Sequence, residues 1–162
     1  MAYKSLEEEI MTELESSMLN ALQDNGEVSE TAKDLQIEAI NEEVYGVYSP
    51  RIYNRRYSNK GLEDKRNMKV NISKIPNGFH FSMTNETKTN PYTNEDGSWK
   101  PIYSNLESDY NLDMIIEEGM GGNEPYSRPR PFIQETQNKI NNSNEIEQSI
   151  VKALRNAGFD AK

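Results

Sequence analysis

The sequence contains no cysteine and little of what active sites are usually built from. Without cysteine there is no disulfide, no thiolate metal ligand, no iron–sulfur cluster and no thiol nucleophile. His80 is the sole histidine, and it lies between two phenylalanines of a strand pattern, so we expect it to be an exposed residue on the opposite face. The sequence therefore predicts no metal site and no cofactor.

Long apolar runs are also lacking. No stretch approaches the ~20 apolar residues that a transmembrane helix needs, and the first ten residues do not have the layout of a signal peptide. Only 34% of the 162 residues are hydrophobic, which is a thin supply of core side chains. We therefore expect a protein of the cell interior, with no membrane contact, that gains stability from a partner or from self-assembly.

No pattern of catalytic residues is present. The glycines of 119–122 lack the Lys-Ser/Thr pair of a phosphate-binding loop, and residues 94–97 lack the spacing of a calcium loop. Glu117 and Glu118 are adjacent on a helix, so their carboxylates point apart and do not form an acid/base pair. We predict no catalytic residue and no enzymatic activity; a hydrolase would rest on no feature of the chain.

Charge is distributed unevenly along the chain, whose formal net charge is −9. Residues 1–45 hold 12 acidic and 2 basic residues, whereas residues 46–74 hold 2 acidic and 8 basic residues. Each run is either a solvated face or one side of a contact between surfaces of opposite charge. The net negative charge disfavours non-specific binding to nucleic acid.

The hydrophobic pattern predicts an α+β fold in a single domain, 1–162, with a small antiparallel sheet packed by N-terminal and C-terminal helices. In the acidic region 1–45, apolar residues recur every four positions from Leu6 to Leu22, after a capping box of Ser5 and Glu8, and Ser29 is the expected cap of a second helix. In the C-terminal region 111–162 we expect three helices. The expected start and stop signals are Asn111, Gly119, Pro131, Ser143 or Asn144, Gly158, and Phe159 folded back after the last helix.

The middle region, 46–110, mixes three patterns. An extended loop rich in Tyr and Arg is expected first, from Tyr48 to Asn67. Met68, Val70 and Ile72 then alternate with polar residues, and a Pro-Asn-Gly turn leads to a second alternating run, which together predict a β-hairpin. Residues 85–108 are polar and predict a long surface loop.

Tyr and Arg are the residue types most enriched at protein interfaces, and their clustering here indicates a partner-binding segment. The alternative is that the Tyr rings pack on the chain's own domain with the Arg stems over them. The candidate residues are Tyr48, Arg51, Tyr53, Arg55 and Arg56.

Four motifs follow one another along the chain: Val47-Tyr48-Ser49-Pro50-Arg51-Ile52-Tyr53-Asn54-Arg55-Arg56, Leu112-Asp113-Met114-Ile115-Ile116-Glu117-Glu118-Gly119, Arg128-Pro129-Arg130-Pro131-Phe132-Ile133 and Leu154-Arg155-Asn156-Ala157-Gly158-Phe159. Their order resembles the tail-completion, or head–tail joining, proteins of the neck of long-tailed bacteriophages. The resemblance spans about residues 45–160 and fades over 85–108.

This resemblance implies a structural virion protein, assembled in the host cytoplasm, that forms a homo-oligomeric ring of six between the portal or connector and the tail. DNA would at most pass through the lumen. Pro129 and Pro131 stiffen the backbone, so Arg128 and Arg130 are expected to face carboxylates of an adjacent subunit, and Phe132 to fill a core or a neighbour. Alternatives are a tail terminator or another connector ring and, from a different class, a small acidic inhibitor that mimics nucleic acid.

Overall fold

The structure, a computed structural model, describes residues 5–24, 26–47, 60–87, 112–119 and 128–162. In this part of the chain, five α-helices accompany one two-stranded antiparallel sheet, so the predicted α+β class is confirmed. The elements in order are α1 (Leu6–Asp24), α2 (Glu27–Ile40), a π-helical turn (Asn41–Tyr45), a 3-10 turn (Lys65–Asn67), β1 (Met68–Ile75), β2 (Gly78–Asn85), α3 (Leu112–Glu118), α4 (Phe132–Asn142) and α5 (Glu145–Asn156).

The capping box predicted at the start of α1 is confirmed. Ser5 N donates to Glu8 Oε2 at 2.9 Å, and Glu8 N donates to Ser5 Oγ at 3.3 Å. Two backbone donors that the helix cannot satisfy internally are thereby paired. The apolar stripe of α1 is buried only toward its C-terminal end, where Ala21 and Leu22 enter a core.

Helix α2 begins two residues before the predicted cap, so the assignment of Ser29 as N-cap was wrong. Gly26 occupies the N-cap position with φ of 64°, a left-handed conformation that glycine adopts without steric cost. The turn and the helix start therefore share one residue. At its other end α2 continues into the π-helical turn, which Gly46 closes by donating to Asn41 O at 2.7 Å.

The β-hairpin is confirmed in position and in facing. Val70 pairs with Met83 and Ile72 with Phe81, so one face is apolar, while His80 on the other face is exposed as predicted. Helix α1 lies against this hairpin, and Gln23 Nε2 donates to Ile72 O at 2.8 Å.

The end of α5 also follows the sequence prediction. Gly158 has φ of 90°, and Phe159 N donates to Leu154 O at 3.0 Å while Gly158 N donates to Arg155 O at 2.9 Å. This hydrogen-bond pair defines a Schellman motif, in which the residue after the glycine packs back on the helix. Asn144 holds the N-cap position of α5, although its side chain makes no capping hydrogen bond.

Two apolar cores hold the helices to the hairpin, and both take residues from α2 and β1. The first core lies where α1, the start of α2 and α5 meet the hairpin, and the second lies where the end of α2 meets α3 and α4. The first consists of Ala21, Leu22, Val28, Ile72, Ala153 and Leu154. The second consists of Ala39, Ile40, Val44, Leu62, Met68 and Phe132.

Two loop predictions were wrong at their edges. Residues 60–67 are not extended loop, because they form a turn and a 3-10 turn that bring Leu62 into the second core. Asn85 and Thr87 are not part of a surface loop, because both are fully buried. The remainder of the predicted polar loop, 88–108, lies outside the residues that the structure describes.

Candidate subunit interface

The Arg-Pro-Arg-Pro segment is fixed to α3 through backbone hydrogen bonds. Arg130 N donates to Ile116 O at 3.0 Å. The Glu117 carboxylate then accepts from Ile133 N at 2.8 Å and from Gln134 N at 3.1 Å. Both N–H groups belong to the first turn of α4, where the helix itself supplies no acceptor for them. A negative charge at this end also interacts favourably with the helix dipole. The motif that forms α3 and the motif that contains Arg-Pro-Arg-Pro are therefore joined in one junction.

The residues of this segment differ in accessibility. Arg128 and Pro129 are exposed, and Arg128 makes no ion pair within the described ranges, whereas Arg130 is half-buried. Phe132 is 0% exposed and belongs to the second core. Of the two roles predicted for Phe132, it fills the core of its own chain, so its place among the partner-contact residues was wrong.

The other candidate residues, Tyr48, Arg51, Tyr53, Arg55 and Arg56, lie outside the described residues. The structure does describe what flanks them. On one side the π-helical turn ends with Tyr45 packed against the second core, and on the other side Leu62 is buried in that core. The described residues on both sides of the Tyr/Arg segment therefore lie at the second core.

A buried polar network holds Leu62, on the C-terminal side of the Tyr/Arg segment. Asn85 Nδ2 donates to Leu62 O at 2.9 Å and to Gln36 Oε1 at 3.2 Å, while Asn85 Oδ1 accepts from Thr87 N at 3.2 Å. Buried amides need such partners because an unpaired polar group in a core is costly. Sequence reasoning missed this role, although one signal was available: Asn85 continues the inward face of Phe79, Phe81 and Met83.

Asp64 fixes the same turn from a buried position. Its carboxylate accepts from Lys60 N at 2.9 Å and from Arg66 N at 3.1 Å. The Arg66 side chain adds contacts of 2.8 Å from Nε and 2.6 Å from Nη2. The Arg66 guanidinium, with help from these backbone donors, holds the pKa of Asp64 well below its usual range.

Carboxylates at every fourth position form an acidic ridge along α2 and the turn that follows it: Glu30, Asp34, Glu38 and Glu42. Lys65 Nζ lies 2.9 Å from Glu30 and 2.7 Å from Asp34, and Lys139 Nζ lies 2.9 Å from Glu42 and 3.7 Å from Glu38. Lys33 adds a further pair to Glu30 at 3.0 Å. Three lysines of the same chain thus pair with the four carboxylates of the acidic ridge and offset most of its charge.

The titration of these groups reflects the pairing. Asp34, and after it Glu30, raises the pKa of Lys65, and Glu42 raises the pKa of Lys139. Lys65 and Lys33 lower the pKa of Glu30. These shifts favour the charged forms of Glu30, Lys65 and Lys139, so the ridge offers little uncompensated charge to a partner.

Helix α1 presents the opposite situation. Glu7, Glu9 and Glu13 take part in no ion pair among the described residues. Large apolar side chains of the same half-helix are exposed: Leu6 (72%), Ile10 (55%), Met11 (53%) and Leu14 (41%). This surface is both acidic and apolar, and the described chain leaves it uncovered.

Other kinds of site have little support in the described ranges. No group of three His, Asp or Glu side chains there is arranged to hold a metal ion. None of the helices described is both long and apolar enough to cross a bilayer. An open groove of about 470 Å³ on α5 contains no predicted site residue; it is lined by Glu147, Gln148, Val151, Lys152, Arg155, Asn156 and Lys162.

A family model described as YomN matches residues 2–156. The chain belongs to the YomN family. The match includes α1, both cores and the Arg-Pro-Arg-Pro junction, and it ends at the last residue of α5. No curated protein and no solved structure matches the chain.

Proposed function

We propose that this YomN-family protein is a structural component of a phage virion, a tail-completion or head–tail joining protein that forms a ring in the neck. Support comes from the family, which is phage-derived and takes its name from a Bacillus prophage gene. The ordered motifs from Val47 to Phe159 give the resemblance to tail-completion proteins. The ring would consist of six copies between the portal or connector and the tail.

The proposal depends on one observation: Arg128 is exposed and forms no ion pair among the described residues. An exposed arginine without an ion-pair partner in the described chain sits on a segment that two prolines and the Glu117 carboxylate hold in place. Holding a long side chain on a rigid backbone reduces the entropy lost on binding. A planar guanidinium is suited to a carboxylate of another subunit. An assembly role, without catalysis, uses this arrangement directly.

The experiment is incorporation into particles. In phage carrying Arg128→Glu, we expect the protein to be missing from purified particles by immunoblot and mass spectrometry, and unjoined heads and tails to accumulate in electron micrographs. Arg155→Glu is the matched control, because it makes the same charge change on an exposed arginine of α5. Wild-type particles that lack the protein altogether would refute the proposal.

The acidic-inhibitor alternative loses support from the structure. A nucleic-acid mimic presents rows of uncompensated carboxylates, but lysines of the same chain pair with the acidic ridge of α2. The carboxylates of α1 that form no ion pair among the described residues alternate with large exposed apolar side chains, which a mimic of nucleic acid does not need. The two alternatives predict different salt dependence, since a mimic would inhibit a nuclease or repressor strongly at low salt. A tail terminator or other connector ring differs from the proposed role only in its neighbours, which immunogold labelling of the neck would identify.

A further inference from the structure

The apolar stripe of α1 continues beyond the body of the protein. Its C-terminal part, from Met18 to Leu22, packs on the first core, whereas Leu6, Ile10 and Leu14 continue the same line exposed. Glu9 and Glu13 follow Leu6 and Ile10 by three residues, so carboxylates border the stripe. An exposed apolar strip of this kind, with a charged margin, is typical of an interaction site.

A surface of complementary character lies at the junction of α3 and α4. Met114 is 45% exposed and Ile133 is 39% exposed. Met114 precedes Glu117 by three residues on α3, and Glu117 binds the backbone of Ile133, so the two apolar side chains lie at the same junction. Arg128, which is exposed, lies two residues before Arg130, whose backbone N–H bonds to Ile116 O of α3. We term Met114, Ile133 and Arg128 the Arg128 corner.

Within the described residues, the stripe and the corner lie at opposite ends of the fold. Gln23 of α1 bonds to Ile72, and Glu15, two turns earlier on α1, pairs with Lys74, which is farther along β1 toward the hairpin turn. The N-terminal half of α1 therefore runs on past that turn. The other end of β1, at Met68, lies in the second core, to which the Arg128 corner is attached through Phe132.

From this arrangement we infer that the exposed half of α1 in one copy docks on the Arg128 corner of a second copy. The inference rests on the proposed function and identifies the partner of its arginine. Because the two surfaces differ and lie at opposite ends of the described fold, one copy does not join its own two surfaces. Each added copy leaves one α1 stripe and one Arg128 corner free for further copies. Such heterologous contacts close into a ring when the rotation permits.

Charge complementarity favours a second copy as the occupant. In this contact the carboxylates of Glu9 and Glu13 meet the guanidinium of Arg128, and none of these three groups forms an ion pair within the part of the chain that the structure describes. Apolar side chains meet on both sides of the contact. The contact uses few side chains, so its area lies at the low end of specific interfaces, below about 1,200 Å². A single contact is then weak, and ring closure supplies the avidity.

The absence of cysteine from the natural sequence allows a direct test by cross-linking. Purified full-length Met11→Cys protein is mixed with Ile133→Cys protein and treated with a short bis-maleimide. We expect a dimer that joins one chain of each kind, and a ladder of larger products from the double variant. Glu147→Cys, at an exposed position of α5, is the matched control and should pair with Met11→Cys at least several-fold less.

A charge exchange tests the specificity of the contact. Glu13→Lys should reduce the yield of the mixed dimer several-fold, and Arg128→Glu in the partner protein should restore it. Three results would overturn the inference: a Met11→Cys chain that cross-links mainly to itself, equal pairing with the Glu147→Cys control, or a Met11→Cys thiol that a monomer shields from maleimide. The last would show that residues of the same chain cover the stripe.

The outcomes also separate this inference from the proposed function. A variant pair that never cross-links, in a protein that is nevertheless present in the neck of particles, overturns the docking of α1 and leaves the virion role intact. A protein that forms the mixed dimer but is absent from particles supports the docking contact and overturns the virion role.

Discussion

Replacing Phe132 by alanine should remove a large part of the stability of the second core. The side chain is 0% exposed and belongs to the second core with Ala39 and Ile40 of α2 and Met68 of β1. Truncation of a buried phenylalanine costs about 3–5 kcal/mol, and the cost is greatest where the surroundings cannot collapse into the cavity. Because neighbouring elements restrain this site, we expect about 4 kcal/mol.

The assay is urea unfolding of the purified protein, followed by far-ultraviolet circular dichroism. For an m value of about 2 kcal/mol per molar urea, the expected loss moves the midpoint down by about 2 M. Phe132→Leu, which preserves most of the volume, should cost less than about 1.5 kcal/mol. Ile133→Ala is the control one residue away, and its exposed side chain should change stability by no more than about 0.5 kcal/mol.

This comparison decides between the two roles that the sequence leaves open for Phe132. If the side chain served a neighbouring subunit, the isolated chain would unfold at the same urea concentration with alanine as with phenylalanine. A midpoint for Phe132→Ala equal to that of Ile133→Ala would therefore refute the placement of Phe132 in the second core.

Three further predictions concern the contacts that fix the candidate interface. Asn85→Ala leaves Leu62 O and the Gln36 side chain without their donor, so thermal unfolding should show a loss of about 1–3 kcal/mol, against little change for exposed Thr84→Ala. Glu117→Ala removes the carboxylate from the first turn of α4 and should cost about 1 kcal/mol. Amide exchange at Ile133 and Gln134 should accelerate, and unchanged exchange would contradict that role. The third prediction concerns Asp64, whose pKa Arg66 holds below the ordinary value of 3.8. The unfolded chain therefore takes up this proton first as pH falls below about 4, and stability contributed by Asp64 at neutral pH is lost. Asp64→Asn should be less stable at pH 7, and its urea midpoint should fall less between pH 5 and pH 2; parallel pH profiles for both proteins would contradict the assignment.

Local signals in the sequence predicted most of the described fold. The capping box of Ser5 and Glu8, the alternation of the hairpin and the glycine at 158 each depend on residues within a few positions of one another, where spacing alone fixes the geometry. The prediction of Ser29 as a cap failed because Gly26 could form both the turn and the helix start. A serine then becomes an ordinary first-turn residue.

Contacts between distant parts of the chain were less accessible to sequence reasoning. Asn85 and Thr87 resemble loop residues in composition, and their burial depends on acceptors at Leu62 and Gln36 that no local pattern reveals. The pairing of the acidic ridge with Lys65 and Lys139 likewise requires the tertiary fold. For the candidate interface, the sequence indicated correctly that Arg128 is exposed. It could not show that Phe132, four positions later, is buried in the core of its own chain, because that burial depends on contacts with distant residues.

Helix α2 contributes Val28 to the first core and Ala39 and Ile40 to the second, so the two clusters share one continuous hydrogen-bonded rod. Unfolding of α2 in one cluster would also weaken the helix that the other cluster uses. We therefore expect the two small clusters to unfold cooperatively.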